Sequence, residues 1–205
     1  MKILITAGPT REYIDPVRFI TNRSSGKMGY ALADAAQKRG FETILVTGPV
    51  NLEAPANVEV VRIESAAEMA AAVERLAPVC DAVVMAAAVA DYRPVEVSEH
   101  KLKKQPGDLT LRLERTEDIL ASLGAAKRPG QTLVGFAAET DDLVENASEK
   151  LRRKNLDWIV ANKVSDGFGA DTNKVILLGR GEEVVELPLA PKTEVAEKIL
   201  EKIFG

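Results

Sequence analysis

A basic segment with two glycines near the N-terminus could bind phosphate, although it fits neither common nucleotide-binding motif. It covers Thr21–Gly29 and has the sequence TNRSSGKMG. A P-loop needs a glycine five residues before Gly26, where Thr21 stands, and Ser or Thr after its lysine, where Met28 stands. A dinucleotide-binding fingerprint would need a glycine in place of Ser24. The segment therefore suggests an anion site of another kind.

Two glycines of this segment, Gly26 and Gly29, stand at the predicted start of a helix. A helix begins with unpaired N–H groups and the positive end of its dipole, and both favour a bound anion. Ser24 or Ser25 is expected to cap this helix. Several basic or polar side chains belong to the same loop: Arg18, Asn22, Arg23 and Lys27. The alternative is that the glycines only allow the helix to pack closely on the sheet.

Two further basic clusters follow later in the chain. Lys101–Lys104 (KLKK) comes after the small-residue segment Ala86–Pro94 (AAAVADYRP). Small residues after a strand let a ligand lie against the backbone, where N–H and C=O groups can contact a base. Lys150 and Lys154 share one helix face. Each cluster by itself would be a solvated surface, but three basic clusters in an acidic protein favour a polyphosphate ligand.

The composition excludes several other kinds of site. The 205 residues have a formal net charge of -4, which argues against a nucleic-acid-binding protein. The sequence has one cysteine, Cys80, and one histidine, His100, so neither a disulfide framework nor a Cys/His zinc site is available. No apolar run is long enough to span a bilayer, and the N-terminus lacks a signal-peptide pattern. We therefore expect a cytoplasmic protein with no membrane partner.

Apolar runs alternate with helical periodicity along the chain. Buried strands are predicted at Lys2–Ala7, Glu42–Thr47, Asn57–Ile63, Asp81–Ala87, Thr132–Ala137 and Asp157–Ala161. Helices are predicted at Met28–Arg39, Ser65–Leu76, Glu117–Ala126, Asp142–Lys154 and Lys192–Phe204. An exposed strand at Leu109–Glu114 and a hairpin of Lys174–Gly179 with Glu183–Leu187 complete the pattern. This alternation predicts an α/β fold with a Rossmann-like, mostly parallel sheet, helices on both faces and a C-terminal antiparallel hairpin.

Residues 1–205 are predicted to form one domain, because no stretch has the composition of a linker. Ligands of such folds bind at the carboxyl ends of the strands. Two long connections are expected there, Gly8–Ser25 after the first strand and Ala88–Asp108 after the fourth.

Two other functions compete with a polyphosphate-using enzyme. An NADP-dependent Rossmann-type reductase would need a tight glycine turn directly after the first strand and a carboxylate after the second strand. The first loop is too long for this, and the second strand ends Val46-Thr47-Gly48. A non-catalytic nucleotide-binding module would bind the nucleotide without releasing pyrophosphate, which the sequence by itself leaves open.

Several of these segments together resemble the bacterial phosphopantothenate–cysteine ligases, also called phosphopantothenoylcysteine synthetases. The matching stretches are ITAGPTREYIDPVRFITNRSSGKMG, AAAVADYRP, KLKK, GFAAET, KLRRKNLD and IVAN, and they extend over essentially the whole chain. In many bacteria this ligase is fused behind a flavin-dependent decarboxylase. The chain is then either a stand-alone ligase or a domain of such a fusion.

The resemblance implies a ligase of coenzyme A biosynthesis that uses CTP. The carboxylate of 4′-phosphopantothenate attacks the α-phosphate of CTP, which releases pyrophosphate and leaves an acyl-cytidylate. The amine of L-cysteine then attacks this mixed anhydride and gives the amide and CMP. Mg²⁺ is expected to accompany the triphosphate, held mainly by phosphate oxygens and water. The family also implies a homodimer.

The resemblance further implies which residues form the site. Asn22 would handle the acyl-cytidylate, and the catalytic group also includes Arg18 and Lys101. Nucleotide contacts are implied for Ala86, Ala87, Ala88, Asp91, Lys101, Glu117, Asp118, Ile119, Leu120, Phe136, Lys150 and Lys154, and Gly26 adds the helix start. The family usually has Asn-Pro-Asp where this chain has Thr116-Glu117-Asp118, a departure that keeps the aspartate. No protein residue is predicted to be a metal ligand.

Overall fold

A mostly parallel sheet forms the centre of the protein in a computed structural model that describes residues 1–104, 106–163, 169–181 and 183–205. The described residues place eight strands in this sheet. In spatial order they are β12 (Val184–Pro191), β11 (Thr172–Gly179), β10 (Trp158–Lys163), β9 (Thr132–Glu139), β6 (Ala82–Met85), β1 (Lys2–Ala7), β4 (Glu42–Thr47) and β5 (Glu59–Arg62). Neighbours from β5 to β10 are parallel, whereas β11 and β12 pair antiparallel. The predicted fold class is confirmed.

Helices cover both faces of the sheet. One face carries α1 (Lys27–Lys38) and α5 (Lys192–Phe204), and the other carries α2 (Ala66–Leu76), α3 (Ile119–Ala126) and α4 (Leu143–Arg153). Ile3 and Ile5 of β1 pack with α1 and α5, whereas Leu4 packs on the opposite face, and all three are fully buried. Successive strand residues point to opposite faces, so a strand that is covered on both sides is apolar throughout. This is why the apolar runs predicted β1 and β4 with the bounds observed.

The helix ends agree with the sequence in two cases and differ in a third. Gly40 follows α1 with a φ of 78°, as expected for a glycine after a helix end. Ser65 Oγ accepts the Glu68 N–H at 3.2 Å and caps α2 as predicted. The predicted serine cap of α1 is wrong, because the N-cap residue is Gly26 and no side chain caps it. Ser24 Oγ instead accepts the N–H of Gly26 itself at 3.3 Å.

The predicted C-terminal hairpin is confirmed, with longer strands than expected. β11 and β12 pair from Thr172↔Pro191 to Leu178↔Val184. Glu182, in the predicted turn, lies outside the described residues. The hairpin extends the sheet at one edge, and α5 follows it directly and packs against α1.

One short antiparallel ribbon lies in the first long connection, and another joins the second connection to the residues that follow it. β2 (Arg11–Tyr13) pairs with β3 (Phe19–Thr21) inside the first connection, and β7 (Tyr92–Pro94) pairs with β8 (Leu113–Arg115). The strand predicted at Leu109–Glu114 is therefore shorter and displaced, because strand pairing is confined to the residues that face β7. Among the described residues, no helix combines the length and apolar character needed to cross a membrane.

Candidate active site

A cavity of about 650 Å³ opens at the carboxyl ends of β6, β9 and β10, beside the start of α1. Its volume lies in the usual range for small-molecule sites. The sequence-predicted residues that line it are Asn22, Gly26, Ala86, Ala87, Ala88, Asp91, Glu117, Asp118, Ile119, Leu120, Phe136, Lys150 and Lys154. The fold thus brings together five sequence segments that are far apart in the chain.

The start of α1 forms one wall of the cavity. Gly26 adopts a φ of 76°, which a residue with a side chain rarely does. Gly29 lies so close to β1 that an added Cβ would be 2.5 Å from Ala7 Cβ and 2.9 Å from Thr6 O. Residues 26–29 line the cavity, and the first N–H groups of a helix lack partners within the helix. The close-packing explanation is therefore right for Gly29, and the helix start is also available to an anion.

The segment Ala86–Asp91 forms the base of the cavity, and hydrogen bonds hold its backbone in place. The N–H groups of Ala87 and Ala88 donate to Thr6 Oγ1 at 3.1 Å and to Gly8 O at 2.9 Å. The Ala90 N–H donates to Thr10 Oγ1 at 3.0 Å, and Thr116 Oγ1 donates to Ala90 O at 2.6 Å. The segment is therefore a fixed surface, and the N–H groups of Ala87 and Ala88 are already used.

Asn22 connects the first loop to this base. Its Nδ2 donates to Ala88 O at 3.1 Å and to Val89 O at 3.3 Å. An amide nitrogen carries two hydrogens, so these two bonds use its donor capacity. To donate to a bound acyl group, Asn22 would have to exchange one of these backbone contacts for the ligand.

Lys150 and Lys154 of α4 face the cavity from the opposite side, where both side chains are held in place. Lys150 Nζ donates to Phe136 O at 2.9 Å, and Lys154 Nζ donates to Asp118 Oδ1 at 2.7 Å. Burial lowers the pKa of Lys150, and the positive charge of Lys154 lowers it further. Burial would raise the pKa of Asp118, but hydrogen bonds from Lys154 and from the Ala121 N–H outweigh burial and lower it.

The other end of the cavity has features that the sequence interpretation did not predict. Lys27 Nζ pairs with Asp171 Oδ1 at 2.5 Å, and the buried Lys192 donates to Ala170 O. Burial, followed by the charge of Lys27, lowers the pKa of Lys192. Asn162 and Asn173 line the cavity as well. Asn162 belongs to the quoted IVAN stretch, but nothing in the local sequence marks Asn173 or Lys192, which reach the site through the hairpin and the start of α5.

Arg18 and Lys101, two of the three predicted catalytic residues, lie outside the cavity wall. Arg18 Nη2 contacts Asp15 Oδ2 at 2.5 Å and donates to Leu102 O at 3.0 Å. Lys101 is exposed in the neighbouring segment. The hydrogen bonds from Arg18 hold the pKa of the Asp15 carboxyl well below its usual range, against the effect of its burial. The structure thus joins Arg18 to the residue after Lys101 and leaves both predicted residues out of the cavity wall that contains Asn22, so their catalytic role stays a prediction.

The carboxylates of the cavity do not form a metal-binding cluster. Asp91, Glu117 and Asp118 are all exposed at its rim. Across the described part of the chain, no group of three or more His, Cys, Asp or Glu side chains is placed to hold a metal ion. A divalent ion that enters this cavity would need most of its oxygen ligands from a bound phosphate and from water.

Comparison with known proteins gives consistent matches over the full chain. The family model for the DNA/pantothenate metabolism flavoprotein C-terminal domain matches residues 1–205. The coenzyme A biosynthesis bifunctional protein CoaBC of Bacillus subtilis (strain 168) is 52% identical over 205 residues, which cover 98% of this chain and 50% of that protein. The chain spans about half the length of the curated CoaBC relatives it matches.

Solved structures share the fold. The crystal structure of the C-terminal domain of a coenzyme A biosynthesis bifunctional protein CoaBC matches with a TM-score of 0.86 and 50% identity, covering 98% of this chain and 93% of that chain. A Cab2 mutant in complex with phosphopantothenate-cysteine matches with a TM-score of 0.82 and 18% identity, covering 98% and 84% of the two chains. At that identity, the second match is evidence of a common fold.

Proposed function

Because the chain belongs to the DNA/pantothenate metabolism flavoprotein C-terminal domain family, we propose that it is a ligase that joins 4′-phosphopantothenate to L-cysteine with CTP. The observation that carries this proposal is that one cavity is lined by Asn22, by Ala86–Asp91 (the alanine segment) and by the Lys150/Lys154 pair. The CoaBC relatives are named as coenzyme A biosynthesis proteins, and the complex of Cab2 contains phosphopantothenate-cysteine. Both names support the proposed product, 4′-phosphopantothenoylcysteine.

The first half-reaction activates a carboxylate, which is a poor electrophile because it carries negative charge. A carboxylate oxygen of 4′-phosphopantothenate attacks the α-phosphorus of CTP, and the bond from that phosphorus to the bridging oxygen of pyrophosphate breaks. Lys150, Lys154 and the start of α1 supply positive charge at the cavity wall for this step. The products are an acyl-cytidylate and pyrophosphate.

The second half-reaction forms the amide. The amine of cysteine attacks the acyl carbon, the bond to the phosphate oxygen breaks, and CMP leaves. Negative charge builds on the carbonyl oxygen during the attack, so a nearby hydrogen-bond donor lowers the barrier. Asn22 is a neutral donor at the base of the cavity, and its contacts with Ala88 O and Val89 O hold it beside the alanine segment.

Magnesium enters this proposal as a partner of the triphosphate. Mg²⁺ keeps several waters and binds phosphate oxygens readily, so a nucleotide can bring the ion without a dedicated protein cage. The exposed Asp91, Glu117 and Asp118 are near enough to the cavity to contact its waters.

A homodimer is proposed because the two ribbons expose apolar side chains. Five apolar side chains are exposed by between 37% and 57%: Val17 and Phe19 on the first connection, Tyr92 on the second, and Leu111 and Leu113 just after it. Residues of β2 and β7 lie close together, so the ribbons share one side of the molecule. Contiguous exposed apolar surface often marks a protein–protein contact. Sedimentation velocity would test this, and a monomer at micromolar concentration would contradict it.

Two proposals concern the context of the chain. The CoaBC relatives are called bifunctional and are about twice as long as this chain, which supports a flavin-dependent decarboxylase as the other part of a full-length protein. A biosynthetic ligase that uses nucleotide and cysteine is proposed to work in the cytoplasm.

Pyrophosphate release tests the proposed function directly. Purified protein is incubated with CTP, Mg²⁺ and 4′-phosphopantothenate, with and without cysteine, and both pyrophosphate and the amide product are measured. We expect pyrophosphate in both mixtures and amide formation only with cysteine. CTP binding without pyrophosphate release would favour the non-catalytic nucleotide-binding module. Oxidation of NADPH by a carbonyl substrate would favour the reductase.

A further inference from the structure

Asp15 is a buried carboxylate that joins two segments far apart in the sequence. Its side chain is fully buried, in the turn between β2 and β3. Oδ1 accepts the N–H groups of Val17 and Arg18, each at 2.9 Å. Oδ2 accepts Arg18 Nε at 2.9 Å, Arg18 Nη2 at 2.5 Å and the Leu102 N–H at 3.1 Å. Leu102 lies 87 residues further along the chain.

The contacts between these two segments continue beyond the carboxylate. Arg18 Nη2 also donates to Leu102 O at 3.0 Å, so both backbone groups of Leu102 are bound by the Asp15–Arg18 pair. The Ser98 N–H donates to Ile14 O at 3.0 Å. The segment that precedes and contains Lys101 is therefore attached to the β2–β3 turn at two points.

A purely local role explains only part of this arrangement. Hydrogen bonds to the N–H groups of Val17 and Arg18 would close the turn by themselves. The bonds to Leu102 are not needed for that turn, and they hold a residue next to Lys101. Glu12 provides a contrast, because it is another buried carboxylate of the same connection and accepts the Ala66 N–H at the start of α2.

We propose that Asp15 is a positioning residue, which holds Arg18 and the segment of Lys101 in one fixed arrangement so that Lys101 can meet the nucleotide. The proposal rests on the proposed function for its effect on catalysis, whereas the anchoring of the segment can be measured without any substrate. Asp15→Asn would remove the negative charge that pairs with the guanidinium of Arg18, and it would place a neutral amide opposite the N–H of Leu102.

Limited trypsin digestion tests the anchoring. Lys101, Lys103 and Lys104 are exposed and provide cleavage sites on both sides of Leu102. We expect Asp15→Asn to raise the rate of cleavage after these lysines by about tenfold or more, because the segment opens locally more often. Glu12→Gln is the matched control and should leave this rate close to that of the wild type. Equal rates in Asp15→Asn and the wild type would overturn the proposal.

A second variant keeps this test decisive if Asp15→Asn does not fold. Arg18→Lys retains a positive partner for Asp15 but has one nitrogen in place of the Nε and Nη2 that together hold Asp15 Oδ2 and Leu102 O. Its cleavage after Lys101, Lys103 and Lys104 should also rise, whereas an unchanged rate would contradict the anchor.

A double-mutant cycle tests the link to catalysis, with pyrophosphate release at varied CTP as the readout. Asp15→Asn should lower kcat/KM for CTP by about tenfold in the wild-type background and by much less in a Lys101→Gln background, because residues that act through one another are not additive. Equal losses of kcat/KM in both backgrounds would show that Asp15 does not act through Lys101 and would contradict the positioning role. If the wild type releases no pyrophosphate, the proposed function fails, while the digestion result still decides whether Asp15 anchors the segment.

Discussion

Lys154 Nζ lies 2.7 Å from Asp118 Oδ1, and the same oxygen accepts the Ala121 N–H at 3.0 Å. The carboxylate therefore caps α3 and also holds a lysine of α4 at the cavity wall. Lys150 stands one helical turn before Lys154; burial lowers the pKa of Lys150, and the positive charge of Lys154 lowers it further. This cluster gives the site a pH dependence that can be measured.

CTP affinity should fall as the pH rises through the lowered pKa of Lys150, because the lysine then loses its charge. Lys154→Met should raise that pKa, since it removes a neighbouring positive charge, so the fall should move to higher pH. Titration calorimetry over the alkaline range measures this, with Arg153→Met on the exposed side of α4 as the control. An unmoved alkaline fall in Lys154→Met would show that another group is responsible.

The free energy of unfolding of the protein without nucleotide should rise with pH over the range in which CTP affinity falls. The pKa of Lys150 is lower in the folded state than in the unfolded chain, so the unfolded chain binds more protons between the two values. The free energy of unfolding contributed by this residue therefore rises with pH across that interval. Urea unfolding at several alkaline pH values measures the slope. A Lys150→Met variant should lose this contribution, and an equal slope in wild type and variant would contradict the assignment.

Asn22→Asp should still release pyrophosphate but transfer the acyl group poorly to cysteine. The change puts a carboxylate opposite Ala88 O and Val89 O and near the oxygen on which negative charge develops. Loss of one such donor typically costs a factor of ~100 or more in rate. Mass spectrometry after rapid quench should show accumulated acyl-cytidylate. Asn51→Asp makes the same change at an exposed asparagine that does not line the cavity and should have normal kinetics. Normal amide formation by Asn22→Asp would remove Asn22 from the catalytic residues.

Lys101→Gln should slow the first half-reaction. Lys101 is exposed beside the anchored Leu102, so we expect the Lys101 side chain to close over the triphosphate and add its charge while Leu102 stays bound to Asp15. Pyrophosphate formation in the absence of cysteine measures this step, and Lys103→Gln, two residues away, is the control. If only the cysteine-dependent step slows, the assignment of Lys101 to the phosphates is wrong.

CTP should have a higher kcat/KM than ATP, by tenfold or more, which corresponds to ~1.4 kcal/mol. The reason is that hydrogen bonds to Thr6, Gly8 and Thr10 hold the alanine segment in one position, so it cannot adapt to a larger purine. UTP has an oxygen where cytosine has an amine, and it tests whether a carbonyl of the segment accepts from the base. Equal rates with CTP and ATP would contradict base selection by this segment.

Gly29→Ala should lower the free energy of unfolding by about 1–3 kcal/mol, as overpacking commonly does. The new Cβ would lie 2.5 Å from Ala7 Cβ and would push α1 away from β1. Thermal unfolding measures the effect, and Gly181→Ala is the control because a Cβ there meets nothing within 4 Å. A Gly29→Ala variant as stable as the wild type would mean that α1 can shift without cost.

The local sequence determined most of the sheet and its helices. An apolar strand such as Lys2–Ala7 is stable only when both of its faces are covered, and the amphipathic helix Lys192–Phe204 covers one face of the sheet. The alternation of apolar strands with amphipathic helices therefore predicts the observed layers. The clusters around Gly26, Ala86–Asp91 and Lys150 were also visible in the sequence, because residues at the carboxyl ends of parallel strands meet at one edge.

The tertiary structure alone decided which distant side chains meet. Asp15 and Leu102 are 87 residues apart, and the local sequence around neither residue predicts a contact with the other. Lys192 and Asn173 reach the cavity because an antiparallel hairpin turns the chain back at the sheet edge. Hydrophobic periodicity indicates whether a residue is buried, but it does not indicate which buried polar groups form hydrogen bonds with each other. That pairing depends on strand order and loop path, and it joins Arg18 to Leu102, the residue after Lys101, outside the wall of the cavity that contains Asn22.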